Sequence, residues 1–223
     1  MRPTHAKPFL SICISLTITA VCLFGSAGRL GWPNAWVLLG LSLASGLALT
    51  VGRNPDLAAE RRNIQAGRSW DKVLVLITVL LGPMAMWITA GLDDRFHWSN
   101  GISSLAFTAG VAAAVLAAAL IAWAMRSNTF FSSVVRIQKD RGHTVVDGGP
   151  YRFVRHPGYA GMSVFTLVTP LILGSYWALA PAAANVSVVV IRTILEDLTL
   201  QRELDGYADY ARKVRYRLLP AIW

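Results

Sequence analysis

The sequence predicts an all-α integral membrane protein with four spanning helices, followed by a C-terminal helical hairpin and a cytoplasmic amphipathic helix. Hydrophobic residues make up 54% of the chain and charged residues only 15%, below the roughly one quarter that is usual in soluble domains. The few charges are grouped between long uncharged runs. These runs approach or exceed the ~20 apolar residues that a spanning helix needs.

Each predicted span is an uncharged run, and the four runs are residues 9–27, 35–52, 73–92 and 99–125. A fifth apolar stretch, 159–191, is interrupted by Pro170, Gly174 and Pro181. It is long for one span and short for two, which predicts a helical hairpin over 159–195 that turns near Gly174 to Tyr176. The hairpin either spans with short or tilted helices or stays partly re-entrant behind other helices.

The positive charges predict the orientation. If the spans alternate, all of the 21 lysines and arginines except Arg29 and Arg95 lie on one side, including Arg2, Lys7, Arg53 and Arg62. The positive-inside rule then places both termini and the large loops in the cytoplasm, and we expect the membrane to be the bacterial cytoplasmic one. The net charge of +9 is explained by contact with anionic lipid headgroups, so no nucleic-acid partner is predicted.

The first run begins after a basic segment and is longer than the apolar region of a typical signal peptide, so we expect a retained span. Both cysteines, Cys13 and Cys22, fall inside it. They offer no disulfide framework and no metal-ligand spacing, and they are interpreted as packing residues. No metal site is predicted.

Two cytoplasmic segments have recognisable patterns. Residues 134–146 are interpreted as two short extended pieces around a turn at Gly142. Residues 197–214 place apolar side chains three and four positions apart, which predicts an amphipathic helix. Gly206 lies inside that helix and would weaken it by about 1 kcal/mol relative to alanine, which leaves room for a break.

The thirteen residues 149–161 carry the densest chemistry of the chain, with the sequence GPYRFVRHPGYAG. Pro157 disfavours a helical conformation at His156, so the hairpin helix should begin at or after Pro157. Amides at a helix N-terminus favour an anionic group, and Arg155 strengthens this preference. The rings of Tyr151 and Tyr159 can lie near a cation. The segment therefore suits a ligand with an anionic end, a planar base and a cationic centre, although it also fits the plain cytoplasmic end of a span.

A pair of carboxylates, Glu196 and Asp197, follows the apolar stretch 186–195 and should return to the same membrane face as His156. Acidic residues there do not help a positive-inside topology, and carboxylates at membrane depth usually have a function. The alternative is a structural salt bridge from Glu196 to Arg192, four positions earlier on the same helix.

These residues together resemble the signature of the isoprenylcysteine carboxyl methyltransferase (ICMT) family, whose C-terminal plan the phospholipid methyltransferases share. The resemblance covers roughly residues 130–223. It is carried by Gly149-Pro150-Tyr151, Val154-Arg155-His156-Pro157, Tyr159, Gly161, Glu196-Asp197, Leu200, Gly206-Tyr207, Tyr210, Val214, Arg215, Arg217 and Pro220. Asp197 departs from the glutamate that is common in the family at this place.

The resemblance implies an all-helical membrane enzyme that binds S-adenosyl-L-methionine in a C-terminal cytoplasmic pocket. It divides the chain into an N-terminal transmembrane region, 1–128, and an ICMT-like methyltransferase region, 129–223, whose hairpin and amphipathic helix form the pocket. It implies a catalytic role for Glu196, Arg215 and Arg217, the arginines meeting an anionic acceptor group. The cofactor-binding residues it implies are Pro150, Tyr151, Val154, Arg155, His156, Pro157, Tyr159 and Glu196.

The expected reaction is methylation of a lipidic or membrane-associated small molecule, with an isoprenylcysteine-like carboxylate as the first choice of acceptor. An ionised carboxylate needs positioning more than acid–base help, whereas an amine or thiol would need His156 or Glu196 as a base. Two alternatives stay open at this point. One is a nicotinamide-dependent membrane reductase of the sterol type, which carries a similar histidine–proline core, and the other is a non-enzymatic sensor or transport accessory.

Overall fold

The structure of the protein, a computed structural model, describes residues 6–50, 57, 60–61 and 63–223. The predicted positions of Arg2, Arg53 and Arg62 and of the side chain of Lys7 lie outside the described residues. Where the chain is described, it contains helices and loops and no strand. The helices are α1 (Ala6–Ala27), α2 (Pro33–Ala48), α3 (Ser69–Phe96), α4 (Ser104–Ser127), α5 (Pro157–Leu173), α6 (Leu179–Glu203) and α7 (Tyr207–Lys213).

The prediction of an all-helical integral membrane protein is confirmed. Four helices are long and apolar enough to cross a membrane, namely α1 from Phe9 onward, α3, α4 and α6. The second predicted span, 35–52, corresponds to the shorter helix α2, which has 16 residues and ends at Ala48. The apolar helix α5 has 17 residues, so the six apolar helices differ in length.

The predicted hairpin is formed by α5 and α6, and local chemistry sets both ends of α5. Pro157 is its first residue, as expected, because the fixed φ of proline suits that position. Gly174 ends the helix with φ +82°, a left-handed conformation that glycine adopts without strain. The Ser175 amide then donates to the Pro170 carbonyl (2.9 Å), which satisfies an otherwise unpaired group at the helix end.

Small residues let the helices approach closely. A Cβ on Gly161 of α5 would lie 2.9 Å from the Ala117 carbonyl of α4, and a Cβ on Gly91 of α3 would lie 2.7 Å from the Leu23 carbonyl of α1. Larger side chains at these positions would therefore push the helices apart. Close packing of this kind is how helices associate where lipid removes the hydrophobic driving force.

The predicted amphipathic helix over 197–214 is wrong in its extent. Helix α6 continues through the acidic pair to Glu203, and Gly206, with φ +80°, separates it from the short helix α7. The break at Gly206 agrees with the low helix propensity of glycine. The apolar side of this region packs against the helix bundle, because Leu204, Tyr207 and Tyr210 are buried in one cluster with Ala124 and Tyr151.

The turn predicted at Gly142 is present, with φ +63°. The flanking pieces are not strands, and Lys139–Arg141 forms a 3₁₀ turn. The reason is that their polar groups have partners elsewhere. The Val135 amide donates to the Asp71 carboxylate, and the Val135 carbonyl accepts from the Arg68 amide (3.3 Å).

Candidate active site

A fully buried carboxylate, that of Asp197 on α6, holds the motif 149–161 against the C-terminal tail. Arg155 donates to both of its oxygens, from Nε (2.8 Å) and from Nη2 (2.9 Å). His156 Nε2 lies 3.3 Å from Oδ1. Further donors are Gln201 Nε2 (2.8 Å), Tyr207 OH (3.1 Å) and Arg217 Nε (2.9 Å). Both oxygens of the Asp197 carboxylate thus accept hydrogen bonds from the protein itself. The carboxylate thereby holds the motif, α6 and the C-terminal tail together.

The tail also occupies the backbone of the motif. The Arg155 amide donates to the Tyr216 carbonyl and the His156 amide to the Arg217 carbonyl, each at 2.9 Å. Arg155 Nη1 donates to the Val214 carbonyl (2.8 Å). All three nitrogens of the Arg155 guanidinium are therefore hydrogen-bonded within the protein.

Glu196 has a different environment from its neighbour Asp197. Its Oε2 accepts a 2.5 Å hydrogen bond from the Tyr159 hydroxyl, and its Oε1 has no hydrogen-bond partner among the described residues. The Tyr159 ring stacks on the His156 ring, with centroids 5.8 Å apart and planes 16° apart. A half-buried carboxylate oxygen beside two stacked rings is suited to a cationic group on a ligand.

The guanidinium of Arg192 lies over the other face of this cluster, 5.2 Å from the Tyr159 ring centroid. It does not pair with Glu196. Its Nε donates to Asp71 Oδ1 (2.7 Å), and its Nη2 donates to Asp71 Oδ2 (3.2 Å) and to the Ser133 carbonyl (2.8 Å). Nη1 has no hydrogen-bond partner in the described part of the chain. The salt bridge that helix spacing favours between Arg192 and Glu196 is replaced by one to a carboxylate on α3.

The opposite wall comes from the loop after α4 and from the tyrosines of the tail. Asn128 Nδ2 donates to the Tyr151 hydroxyl (3.2 Å), and the Tyr210 hydroxyl donates to the Tyr151 carbonyl (2.7 Å). Burial raises the pKa of Tyr151 and of Tyr207, so both phenols stay protonated at neutral pH. Burial, with Arg136 and Arg141 nearby, lowers the pKa of His143, so its ring is uncharged at neutral pH.

Two ion pairs hold Glu60 and Arg68, which precede α3, against this side of the cavity. Arg136 donates to both oxygens of Glu60, at 2.7 and 2.6 Å, and the hydrogen bond from Arg136 holds the pKa of Glu60 below its ordinary value. Arg68 pairs with Glu203 at the end of α6. Glu60 and Arg68 thereby become fixed parts of the site.

These elements enclose a cavity of about 500 Å³, a size typical of small-molecule sites. Its polar part contains Glu196, Arg192, Tyr159, His156, Asn128, Gln138, His143, Tyr151 and Tyr207. Its apolar part contains Ile64, Val75, Val79, Ile121 and Met162. Val79, which lies in the membrane-spanning helix α3 and lines the cavity, is 60% exposed. The cavity therefore reaches from the polar loops into the membrane-spanning part of the bundle.

The structure brings only part of the predicted set to this cavity. Tyr151, Arg155, His156, Tyr159 and Glu196 line it. Pro150, Val154 and Pro157 are buried beside it without lining it. Arg217 is paired with Asp197 and lies 5.1 Å from the Trp223 ring, and the Arg215 side chain is exposed outside the cavity. The catalytic roles of Arg215 and Arg217 stay predictions.

Sequence reasoning missed several cavity groups. The ion pair between Asp71 and Arg192 was not predicted, because the two residues lie 121 positions apart and no local sequence pattern connects them. Asn128, Gln138 and His143 sit in a loop without periodicity. A signal existed for Asp71, since a carboxylate directly before a long apolar run is unusual. Within the described residues, no group of three or more histidine, cysteine or acidic side chains suits a metal ion.

Comparison with known proteins agrees with the resemblance described above. Residues 109–202 match the isoprenylcysteine carboxyl methyltransferase (ICMT) family. The protein-S-isoprenylcysteine O-methyltransferase of Schizosaccharomyces pombe is 24% identical over 227 residues, which covers 92% of this chain and 92% of that protein. The fold is similar to a solved structure of the eukaryotic intramembrane Ras methyltransferase ICMT, with a TM-score of 0.53 and 16% identity. That match covers 99% of this chain and 87% of the other, and it shows the fold.

Proposed function

We propose that this chain, a membrane methyltransferase of the ICMT type, uses S-adenosyl-L-methionine to methylate the carboxylate of a lipidic, isoprenylcysteine-like acceptor in the cavity between α3, α5 and α6. One observation carries the proposal. The cavity presents a carboxylate oxygen, Glu196 Oε1, and a guanidinium nitrogen, Arg192 Nη1, that have no protein partner among the described residues. A cationic reactant and an anionic reactant can therefore each find a complementary group in one enclosure.

The residues of the polar part fit the cofactor. S-adenosyl-L-methionine supplies a methyl group on a cationic sulfonium, and it also carries an ammonium, a carboxylate and an adenine. Glu196 would hold a cationic group, and the rings of Tyr159 and His156 offer faces that attract a cation. Gln138, His143 and Tyr151 would hold the remaining polar and planar parts. The cavity volume of about 500 Å³ accommodates a molecule of this size with an acceptor headgroup beside it.

The acceptor would lie toward the apolar part. Arg136 and Arg155 also line the cavity, but all their guanidinium nitrogens are hydrogen-bonded within the protein. Arg192 is therefore the better candidate for a carboxylate partner than either of them. Val75, Val79 and Met162 next to it would take the lipid chain, which can enter from the bilayer.

Catalysis in this site rests on positioning. When bound, the cofactor would supply a methyl group that an ionised carboxylate oxygen can accept with the sulfonium sulfur as the leaving atom, so the residues of this chain would not need to move a proton. Arg192 would orient the carboxylate, and Glu196 with Tyr159 would orient the cationic end of the other reactant, so that attack is in line. His156 does not need to act as a base, and its contact with Asp197 fixes its ring against Tyr159.

We also propose the topology that the charge pattern indicates, with this cavity at the cytoplasmic side of a bacterial inner membrane and both termini in the cytoplasm. Labelling of Lys213→Cys and Asn100→Cys in intact cells tests it, in a background of Cys13→Ser and Cys22→Ser. A membrane-impermeant reagent should label only the position at 100. The reverse pattern would overturn the orientation and leave the enzyme assignment intact.

Calorimetric titration of the detergent-purified protein with S-adenosyl-L-methionine tests the cofactor. Glu196→Gln should weaken binding ten- to a hundred-fold, because loss of a contact with a charged group costs about 1.5–3 kcal/mol. Asp209→Asn is the control, since it removes a carboxylate charge from an exposed ion pair outside the cavity. A folded wild-type protein that binds no S-adenosyl-L-methionine would overturn the proposal.

A second assay follows transfer of a labelled methyl group to an S-prenylated N-acylcysteine in the presence of phospholipid. The product should be a base-labile methyl ester. Label in a base-stable product would instead indicate transfer to nitrogen or sulfur, and the carboxylate assignment would then be wrong.

A further inference from the structure

The buried carboxylate of Asp71 has no place in the reaction described above. It lies in the first turn of α3, is fully buried and accepts from three donors. Arg192 donates to both oxygens, and the Val135 amide donates to Oδ2 at 2.6 Å. Asp71 does not line the cavity itself, but it fixes a residue that does.

The stability of the fold alone does not account for a buried ion pair at this place. Two charges that leave water lose solvation, and replacing a buried pair by apolar side chains is often neutral or stabilising. Next to a membrane-spanning helix the cost of charge is high, and retained charges usually have a function. A function for Asp71 is therefore to be sought in what it does to Arg192.

Arg192 has a competing partner on its own helix. Glu196 lies four positions later, the spacing at which oppositely charged side chains pair on a helix surface, and both side chains line the same cavity. If Arg192 turned to Glu196, the cavity would lose its unpartnered anionic oxygen and its unpartnered cationic nitrogen together. In the structure this pair is not formed, because Nε and Nη2 of Arg192 face Asp71.

We propose that Asp71 is a positioning residue that holds Arg192 away from Glu196, so that the cavity keeps separate sites for a cationic and an anionic reactant. The proposal rests on the proposed function for the identity of the two reactants. The planar guanidinium makes this possible, because fixing two of its nitrogens on one carboxylate also fixes the direction of the third. The ring of Tyr159 below the guanidinium, at 5.2 Å, keeps the same orientation.

Asp71→Asn tests the proposal by calorimetric titration with S-adenosyl-L-methionine. The freed Arg192 should pair with Glu196, and cofactor affinity should fall by about tenfold or more, in the range expected for Glu196→Gln. Asp93→Asn is the matched control, because Asp93 is another buried carboxylate on α3 and lies far from this cavity. Its titration should give the wild-type affinity.

The decisive variant is the double change Asp71→Asn with Arg192→Met. It has no unpaired buried charge, asparagine can still accept from the Val135 amide, and Arg192 no longer competes for Glu196. Affinity for S-adenosyl-L-methionine should return to within about threefold of wild type, although transfer to a carboxylate acceptor stays low. If Asp71 merely braces the loop 133–135, the double variant will bind no better than Asp71→Asn, and the proposal is wrong.

The outcome separates this proposal from the proposed function. No binding by the wild type overturns the function itself. Binding that Glu196→Gln weakens and Asp71→Asn leaves unchanged overturns only the role of Asp71. Should Asp71→Asn fail to fold, the double variant still decides, because recovered binding in it requires that the Asp71 carboxylate is dispensable once Arg192 is gone.

Discussion

Each end of the helix bundle contains a cavity and a buried aspartate on α3. The two ends differ in the kind of donor that holds the aspartate. At one end Asp93 accepts from the Ser99 amide and hydroxyl, each at 2.7 Å, and from the Ser175 hydroxyl. These donors are neutral, and they fasten the turn of the hairpin. At the other end Asp71 and Asp197 are held mainly by arginines. Beside them, Glu196 and Arg192 each keep a polar atom that has no hydrogen-bond partner among the described residues and is available to a ligand.

The size of the two cavities does not distinguish them. The cavity near Asp93 has about 620 Å³ and is larger than the cavity of about 500 Å³ near Asp71. Near Asp93 the neighbouring Asp94 is paired with Arg29 (2.7 Å), so charge there is neutralised within the protein. Among the described residues, the other cavity alone combines an unpartnered carboxylate oxygen with an unpartnered guanidinium nitrogen, which makes it the better candidate for the reaction site.

The largest effect should come from Asp197→Ala. It leaves Arg155 buried without its carboxylate and releases Arg217, and breaking a buried ion pair costs about 3–5 kcal/mol. Thermal unfolding in detergent should show a large loss of stability or no folded protein. Asp93→Ala removes only hydrogen bonds from neutral donors, so its loss of folding free energy should be smaller, about 1–3 kcal/mol. Equal losses would contradict the distinction between the two ends.

The double change Asp71→Asn with Arg192→Met, which leaves no unpaired buried carboxylate, should abolish most methyl transfer to a carboxylate acceptor and keep cofactor binding. The expected loss of transfer is about a hundredfold, because a carboxylate loses a charged hydrogen-bond donor worth up to ~3 kcal/mol. Measured cofactor affinity should change little, since Glu196 keeps its contact with Tyr159. A variant with normal transfer would remove Arg192 from the acceptor site. Arg29→Met, at the opposite end, is the control.

Glu60 gives a pH dependence of moderate size. Its pKa is depressed in the folded state by the hydrogen bond from Arg136, so the unfolded chain binds the proton more readily. The pair therefore stabilises the fold above the ordinary glutamate value of 4.5 and this contribution is lost as pH falls through the lower folded value. Thermal stability of the wild type should drop in that acidic window more steeply than that of Glu60→Gln. Identical dependence of thermal stability on pH in the two proteins would contradict this role of Glu60.

The smallest effect should come from Arg215→Gln. Its side chain is exposed and does not line the cavity, so methyl transfer should change by less than about twofold, as for most surface substitutions. A tenfold loss of transfer with normal cofactor affinity would support the role that the sequence resemblance implies for this arginine, and it would show that the tail moves onto the acceptor.

Much of the fold follows from sequence because membrane constraints are local. Uncharged runs mark the spanning helices, since no unpaired polar group is tolerated in hydrocarbon. Pro157 and Gly174 set the ends of α5 through their own backbone preferences. The extent of α6 was missed, because the helix continues past the membrane boundary to Glu203 and the break falls where Gly206 permits it.

By itself the sequence determined the membrane class and the hairpin, both of which rest on neighbouring residues in the chain. It also pointed to His156, Tyr159 and Glu196, which the structure places in the wall of one cavity. Only the tertiary structure decided how the charges pair. On a lone helix Arg192 and Glu196 would be each other's partners. Asp71, 121 positions away, takes Arg192 instead, because in the interior a fully buried carboxylate with two matched oxygens outcompetes a half-exposed one.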